Sequence, residues 1–138
     1  GIQIYGRTTE DMVEAAKNVK ENVYKHATDI AGIRTLKIYG VYDPNVVKAA
    51  VYMVKSDAPE NTVLLAATRM HGKPTLTIFV SDDLVKKGMN AGKMIREAAK
   101  AIQGGGGGQP GFAQAGGRNE EGISLAMEKM EALIAAEA

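Results

Sequence analysis

The sequence contains no cysteine and no tryptophan, and few other aromatic residues. Without cysteine the chain forms neither disulfides nor thiolate-ligated metal sites, which fits a cytoplasmic protein. No apolar run approaches the roughly 20 residues of a membrane-spanning helix, so no membrane contact is expected, and the first residues lack a secretory hydrophobic segment. Positive and negative charges nearly balance at a net charge of +1. Any nucleic-acid binding must therefore depend on a local basic surface.

Catalytic and metal-binding signatures are also missing from the sequence. The chain has no GxSxG or HExxH motif, and His26 and His71 have no partner at a metal-ligand spacing. Asp82 and Asp83 are interpreted as the cap of a short helix, not as metal ligands. We therefore expect no catalytic residue, no metal and no cofactor in this chain.

One stretch, GGGGGQPGFAQAGG at residues 104–117, is dominated by glycine. It cannot continue the helix predicted before it, and Pro110 and Phe112 distinguish it from a flexible glycine linker. The sequence predicts a shaped, site-forming loop with several glycines at positive φ, where Gly106→Val would strain the backbone and block a phosphate or ribose. A P-loop is excluded because no Gly-Lys-Ser/Thr follows the glycines.

Apolar periodicity predicts an α/β fold, a single small domain with a mixed β-sheet and flanking helices. Strands are predicted at residues 33–41, 62–68 and 75–80. The second of these is nearly all apolar and should therefore be central, with the third as its hairpin partner. Asp43, Asn90 and Asn119 are each predicted to cap a helix.

An amphipathic helix is predicted to precede this domain. Apolar residues recur at spacings of three and four over residues 8–30, and Gly32 is expected to end the helix. Such a helix either packs on its own domain or makes a dimer or interdomain contact. The chain is accordingly divided into residues 1–31, which open with a weak strand pattern at residues 1–7, and residues 32–138.

A basic face is predicted on the helix that precedes the glycines. Lys93, Arg96 and Lys100 recur at helical spacing opposite the apolar face, and form a stripe that ends where the glycines begin. Arg118, beyond the glycines, could extend this basic stripe. An ordinary solvated helix face has the same pattern. The position beside exposed backbone N–H groups favours a phosphodiester partner.

Several segments occur together in a specific order: IRTLKIYGVYDPNVVKAAVYMV, TVLLAAT, VSDDL, the Ala91-Gly92 step and the glycine-rich stretch. In this order, from about residue 33 to 133, the chain resembles the C-terminal domain of alanyl-tRNA synthetase, a domain type also found as the accessory domain of DHH phosphoesterases. Pro110 and the run FAQAGG favour the synthetase form. Gln109 departs from the family, which usually has Arg or Lys there, so a charge-assisted contact is lost.

The resemblance implies a non-catalytic, tRNA-binding part of alanine–tRNA ligase that binds the elbow of tRNA(Ala) and helps the aminoacylation and editing domains act on it. ATP, Mg and Zn would belong to those other domains, which are the expected partners together with tRNA(Ala). A homodimer through the N-terminal helix is a further expectation. The expected tRNA-binding residues are Lys93, Arg96, Lys100, Gly104, Gly105, Gly106, Gly107, Gly108, Gln109, Pro110, Phe112, Gln114, Gly116, Gly117 and Arg118.

Two other functions stay open at this point. The chain could be the nucleic-acid substrate-binding domain of a DHH-family phosphoesterase, which would need an Asp-His-His domain that these residues do not contain. It could also be an oligomerisation domain that uses the N-terminal helix.

Overall fold

The computed structural model describes residues 9–137, so the strand pattern predicted at residues 1–7 lies outside the described part. The strands are β1 (Thr28–Ile30), β2 (Ile33–Val41), β3 (Thr62–Met70), β4 (Lys73–Val80), β5 (Gly105–Gln109) and β6 (Phe112–Gly116). They form one six-stranded sheet in the order β1-β2-β3-β4-β6-β5. β2 and β3 are parallel, and the other neighbouring strands are antiparallel. The predicted single domain with a mixed sheet is confirmed.

Helices cover both faces of this sheet. They are α1 (Thr9–Lys25), α2 (Pro44–Ser56), α3 (Asp82–Lys86), α4 (Ala91–Ala99) and α5 (Ile123–Glu137). One hydrophobic cluster packs α4 and α5 on one face, and a second cluster packs α1 and α2 on the other. The sheet is therefore the middle layer of a three-layer α/β fold.

Strand β3 supplies side chains to both clusters. Val63 and Leu65 pack toward α4 and α5, whereas Leu64 and Ala66 pack toward α1 and α2. Successive side chains of a strand point to opposite faces, so a strand covered on both sides must be apolar at every position. The prediction of a central strand at this apolar run is confirmed.

Of the helix caps predicted at Asp43, Asn90 and Asn119, two are confirmed. The cap predicted at Asp82 and Asp83 is wrong, because Ser81 takes the cap position of α3 and both aspartates lie in its first turn. Asp43 and Asn90 begin α2 and α4, and each side chain accepts a hydrogen bond from a backbone N–H of the first turn, at 2.8 and 3.1 Å. Asn119 takes the cap position before the turn that leads into α5, but its side chain makes no capping bond. Asn119 precedes the 3-10 turn Glu120–Gly122, and its side-chain amide donates instead to the Ala101 carbonyl oxygen at 3.4 Å.

The N-terminal helix is shorter than predicted. It ends at Lys25, and residues 28–30 form β1, which returns as a hairpin with β2 through Ala31 and Gly32, both at positive φ. The Asp29 carboxylate accepts a hydrogen bond from the Gly32 N–H at 2.9 Å and holds this turn. Residues 28–30 continue the helical spacing of apolar residues, but their pairing with β2 makes them a strand.

Helix α1 packs on its own domain. Ala16 and Val23 are buried, and Val23 belongs to the same cluster as the apolar side chains of α2 and β2. Lys20 of α1 also forms an ion pair of 2.8 Å with Asp57, just after α2. The division of the chain after residue 31 and a dimer through this helix stay predictions.

Asp83 connects the start of β3 to the start of α3. Its carboxylate accepts hydrogen bonds from the Ser81 hydroxyl at 2.6 Å and from the backbone N–H of Asn61 at 2.9 Å. These bonds, the one from Ser81 above all, lower the pKa of Asp83 below its ordinary value of 3.8 because they favour the ionised carboxylate.

This stabilisation is fully present above the unfolded-state pKa of Asp83 and is lost as the pH falls through the lower folded-state pKa. Asp83→Asn is expected to reduce the free energy of unfolding by about 1 kcal/mol at pH 7. Below the ordinary value of 3.8, the difference between the two proteins should shrink. Urea unfolding followed by circular dichroism at several pH values measures this, and a difference that does not change with pH would contradict it.

Candidate nucleic-acid interface

The glycine-rich stretch forms a β-hairpin at one edge of the sheet, not the loop that the sequence predicts. β6 pairs with β4, and β5 pairs with β6 as the outermost strand. In β6, Ala113 and Ala115 are buried, whereas Phe112 is half-buried and Gln114 is exposed. Buried and more exposed residues therefore alternate in FAQAG with the period of a strand. Sequence analysis missed this signal.

Helix α4 lies antiparallel to β5. At one end the Ala91 N–H donates to the Pro110 carbonyl oxygen at 2.8 Å, and at the other the Gly104 N–H donates to the Ala99 carbonyl oxygen at 3.0 Å. Between these ends, a Cβ atom on Gly92 would lie 3.0 Å from the Gly108 carbonyl oxygen. The Ala91-Gly92 step therefore lets the helix pack closely against the hairpin.

The prediction of positive φ in the glycine-rich stretch is wrong. Among the described glycines, positive φ occurs at Gly32, Gly40, Gly72 and Gly88, which all lie outside this hairpin. The reason for glycine here is space and not backbone strain.

Three glycines on the β5 side have no room for a side chain because β6 is too close. A Cβ atom on Gly106 would lie 2.5 Å from the Ala115 Cα, and one on Gly108 would lie 2.7 Å from the Ala113 Cα. Gly104 is equally restricted by the backbone opposite it. Contacts this close force the backbone to move, so the predicted intolerance of side chains gains a packing reason.

At two other glycines of the same strand, Gly105 and Gly107, a side chain would not clash. A Cβ atom on Gly105 would meet no atom within 4 Å, and one on Gly107 would lie 3.7 Å from Nε of Arg96, an ordinary contact. At these positions β6 leaves room for a side chain.

Lys93 and Arg96 of the predicted basic stripe are exposed on α4, and Lys100 is exposed directly after its last residue. Arg96 lies beside Gly107, so the stripe and the hairpin form one surface. Lys100 is partly neutralised, because its Nζ lies 3.1 Å from Oε1 of Glu97. Lys93 lies in the first turn of the helix, near the turn of the hairpin.

The two ends of the hairpin differ. At the open end, Gly104, Gly105, Gly116, Gly117 and Arg118 line a shallow pocket with Lys73. At the turn, Gln109, Gly111 and Phe112 line a groove of about 690 Å³ between the hairpin, α3 and the end of α2. The structure therefore spreads the predicted site residues along the whole hairpin.

A second basic surface, which sequence analysis missed, lies on α2 beside this groove. The Tyr52 and Phe112 rings are parallel within 8°, with 6.1 Å between their centroids. Lys48 Nζ lies 6.0 Å from the Tyr52 ring centroid, and Lys55 Nζ lies 5.7 Å from that of Phe112. Lys48, Tyr52 and Lys55 recur at helical spacing, so the α2 sequence carried the signal. We call these four residues the aromatic wall.

Within residues 11–137, the histidine, aspartate and glutamate side chains form no group of three that could hold a metal ion. Over the same part of the chain, no helix combines the length and the apolar character needed to cross a membrane.

A family model described as the DHHA1 domain matches residues 31–136, and this chain therefore belongs to the DHHA1 domain family. The chain is 42% identical over 119 residues to the alanine–tRNA ligase of Bacteroides thetaiotaomicron. That match covers 86% of this chain and 14% of the ligase, so the chain spans a small part of the curated relatives that it matches. The resemblance to the synthetase form of the domain is confirmed.

Two solved structures share the fold. The C-Ala domain from Aquifex aeolicus alanyl-tRNA synthetase is similar with a TM-score of 0.69 and 23% identity, over 79% of this chain and 97% of that one. A DHH-domain protein described as a member of a family of ribosomal proteins is similar with a TM-score of 0.57 and 16% identity, over 88% of this chain and 30% of that one. Both likenesses concern the fold alone.

Proposed function

We propose that this chain is the tRNA-binding C-terminal domain of an alanine–tRNA ligase, which acts in the cytoplasm. In this proposal the chain binds the elbow of tRNA(Ala) and helps the aminoacylation and editing domains act on the same tRNA. ATP, Mg and Zn would be bound by those other domains. The observation that carries the proposal is the β5 edge, where glycine backbone lies directly beside Arg96 of the basic stripe.

An edge strand has backbone N–H and C=O groups that point away from the sheet. On β5 the outward groups belong to Gly106 and Gly108, because Gly111 and Gly117 are bonded to β4 and the strand register then turns Gly105 and Gly107 toward β6. Gly106 is exposed and has no side chain, so a phosphate or ribose can reach hydrogen-bonding distance of its backbone. The cations of α4 add the charge that neutralises phosphates. Contacts of this kind recognise the backbone and the folded shape of an RNA, and not its anticodon sequence.

A second candidate is the nucleic-acid substrate-binding domain of a DHH-family phosphoesterase. The fold likeness to the DHH-domain protein favours it. In that case the hairpin would bind the end of a short oligonucleotide as well as it binds tRNA.

We expect the 138-residue chain to bind folded tRNA with little regard for the anticodon. If three phosphates are neutralised, the affinity should fall about 20- to 40-fold for a fourfold increase in salt. Fluorescence anisotropy with labelled tRNA(Ala), an anticodon variant of it and a linear RNA of equal length measures this. Equal affinity for the linear RNA would contradict binding at the elbow. Binding of a short oligonucleotide end at least as tight as that of tRNA would favour the phosphoesterase function.

A further inference from the structure

The aromatic wall faces solvent beside the glycine hairpin. Tyr52 is 46% exposed although its ring stacks on Phe112. The 6.1 Å between the ring centroids is wider than face-to-face contact, so the rings are offset and part of each ring face stays uncovered. Lys48 and Lys55 are exposed, and their ammonium groups lie over the Tyr52 and Phe112 rings, from where these flexible side chains can turn toward a phosphate.

The charges around the neighbouring groove disfavour a phosphate inside it. Lys55 and Lys86 line the groove together with three carboxylates, those of Glu60, Asp82 and Asp83. A neutral group fits this balance better than an anion does, and carboxylates can accept hydrogen bonds from the N–H groups of a base. An aromatic surface with exposed, flexible cations beside it can stack a base and hold the phosphates next to that base.

We propose that the aromatic wall stacks one unpaired base of a bound RNA, while Lys48 and Lys55 contact the flanking phosphates. This inference rests on the proposed function and adds a base-binding position to it. The wall lies on the face of the sheet opposite α4, but Phe112 pairs with Gln109 at the turn end of β5, and both residues line the same groove. An RNA whose backbone lies on the β5 edge can therefore place a base on the wall.

The absence of tryptophan from the chain permits a direct test. Tyr52→Trp introduces a single indole into the aromatic wall, and stacking of a base on it should quench its fluorescence when tRNA is added. Tyr39→Trp is the matched control, because Tyr39 is 50% exposed on β2, three positions from β6 in the sheet. The emission of the control should not change at the same tRNA concentration.

Affinity provides the second measurement. Loss of one base–aromatic stack should weaken tRNA binding by Tyr52→Leu about 5- to 150-fold, whereas Tyr52→Phe, which keeps the ring, should bind like the parent chain. Thermal unfolding of both variants checks that the fold is kept.

The outcomes separate this inference from the proposed function. If the parent chain does not bind tRNA, both are overturned. If the parent chain binds tRNA but Tyr52→Leu binds equally well and the indole at position 52 is not quenched, the base-binding position is overturned and the proposed function stands.

Discussion

Gly106→Ala is expected to weaken tRNA binding about tenfold, through the loss of one charge-assisted contact. The added methyl group would lie 2.5 Å from the Ala115 Cα, so β5 must move away from β6. Such overpacking should also lower the free energy of unfolding by about 1–3 kcal/mol. Anisotropy with labelled tRNA and urea unfolding measure the two effects, and Val at the same position should act more strongly.

Gly105→Ala is the matched control in the same strand. Its methyl group meets no atom within 4 Å, so the hairpin should keep its geometry and stability. Equal stability of the two variants would mean that β5 does not pack as closely on β6 as the structure shows. Equal tRNA affinity, with Gly106→Ala destabilised, would remove the hairpin edge from the binding surface.

The second large effect is expected for the triple replacement of Lys93, Arg96 and Lys100 by Ala. Two to three charge-assisted phosphate contacts, worth about 2–3 kcal/mol together, would be lost, which corresponds to a roughly 30- to 150-fold weaker affinity at low salt. The slope of affinity against salt should fall by about 2–3. Because the three side chains are exposed, the free energy of unfolding should change by less than about 1 kcal/mol.

The control is the triple replacement of Lys17, Lys20 and Lys25 by Ala on α1. Like the triple replacement in the basic stripe, it removes three positive charges. One lysine of each set is ion-paired: Lys20 with Asp57 in the control and Lys100 with Glu97 in the stripe. The control should bind tRNA nearly as well as the parent chain. An equal loss in both triples would show that only net charge matters, and no loss in either would show that the basic stripe is an ordinary solvated face.

The sequence was sufficient for elements whose own pattern decides their structure. β3 was predictable because an apolar run bounded by turns is typical of a strand covered on both faces. The starts of α2 and α4 were predictable because Asp43 and Asn90 satisfy backbone N–H groups within their own first turns. The basic stripe followed from helical spacing alone.

Other elements needed information from distant parts of the chain. Residues 28–30 suit a helix or a strand, and pairing with β2 selects the strand. The glycine-rich stretch has little local preference, and the hydrogen-bonding groups of β4 make it a hairpin.

By itself, the sequence determined the α/β class, the central strand, the helix that carries the basic stripe, and the glycine-rich stretch as the candidate site. Only the tertiary structure decided why those glycines are needed, because the space at Gly106 depends on the backbone of β6 opposite it. The aromatic wall, too, was visible only in the tertiary structure. Tyr52 and Phe112 are far apart in the chain, and they meet because the sheet register and the packing of α2 bring their rings together.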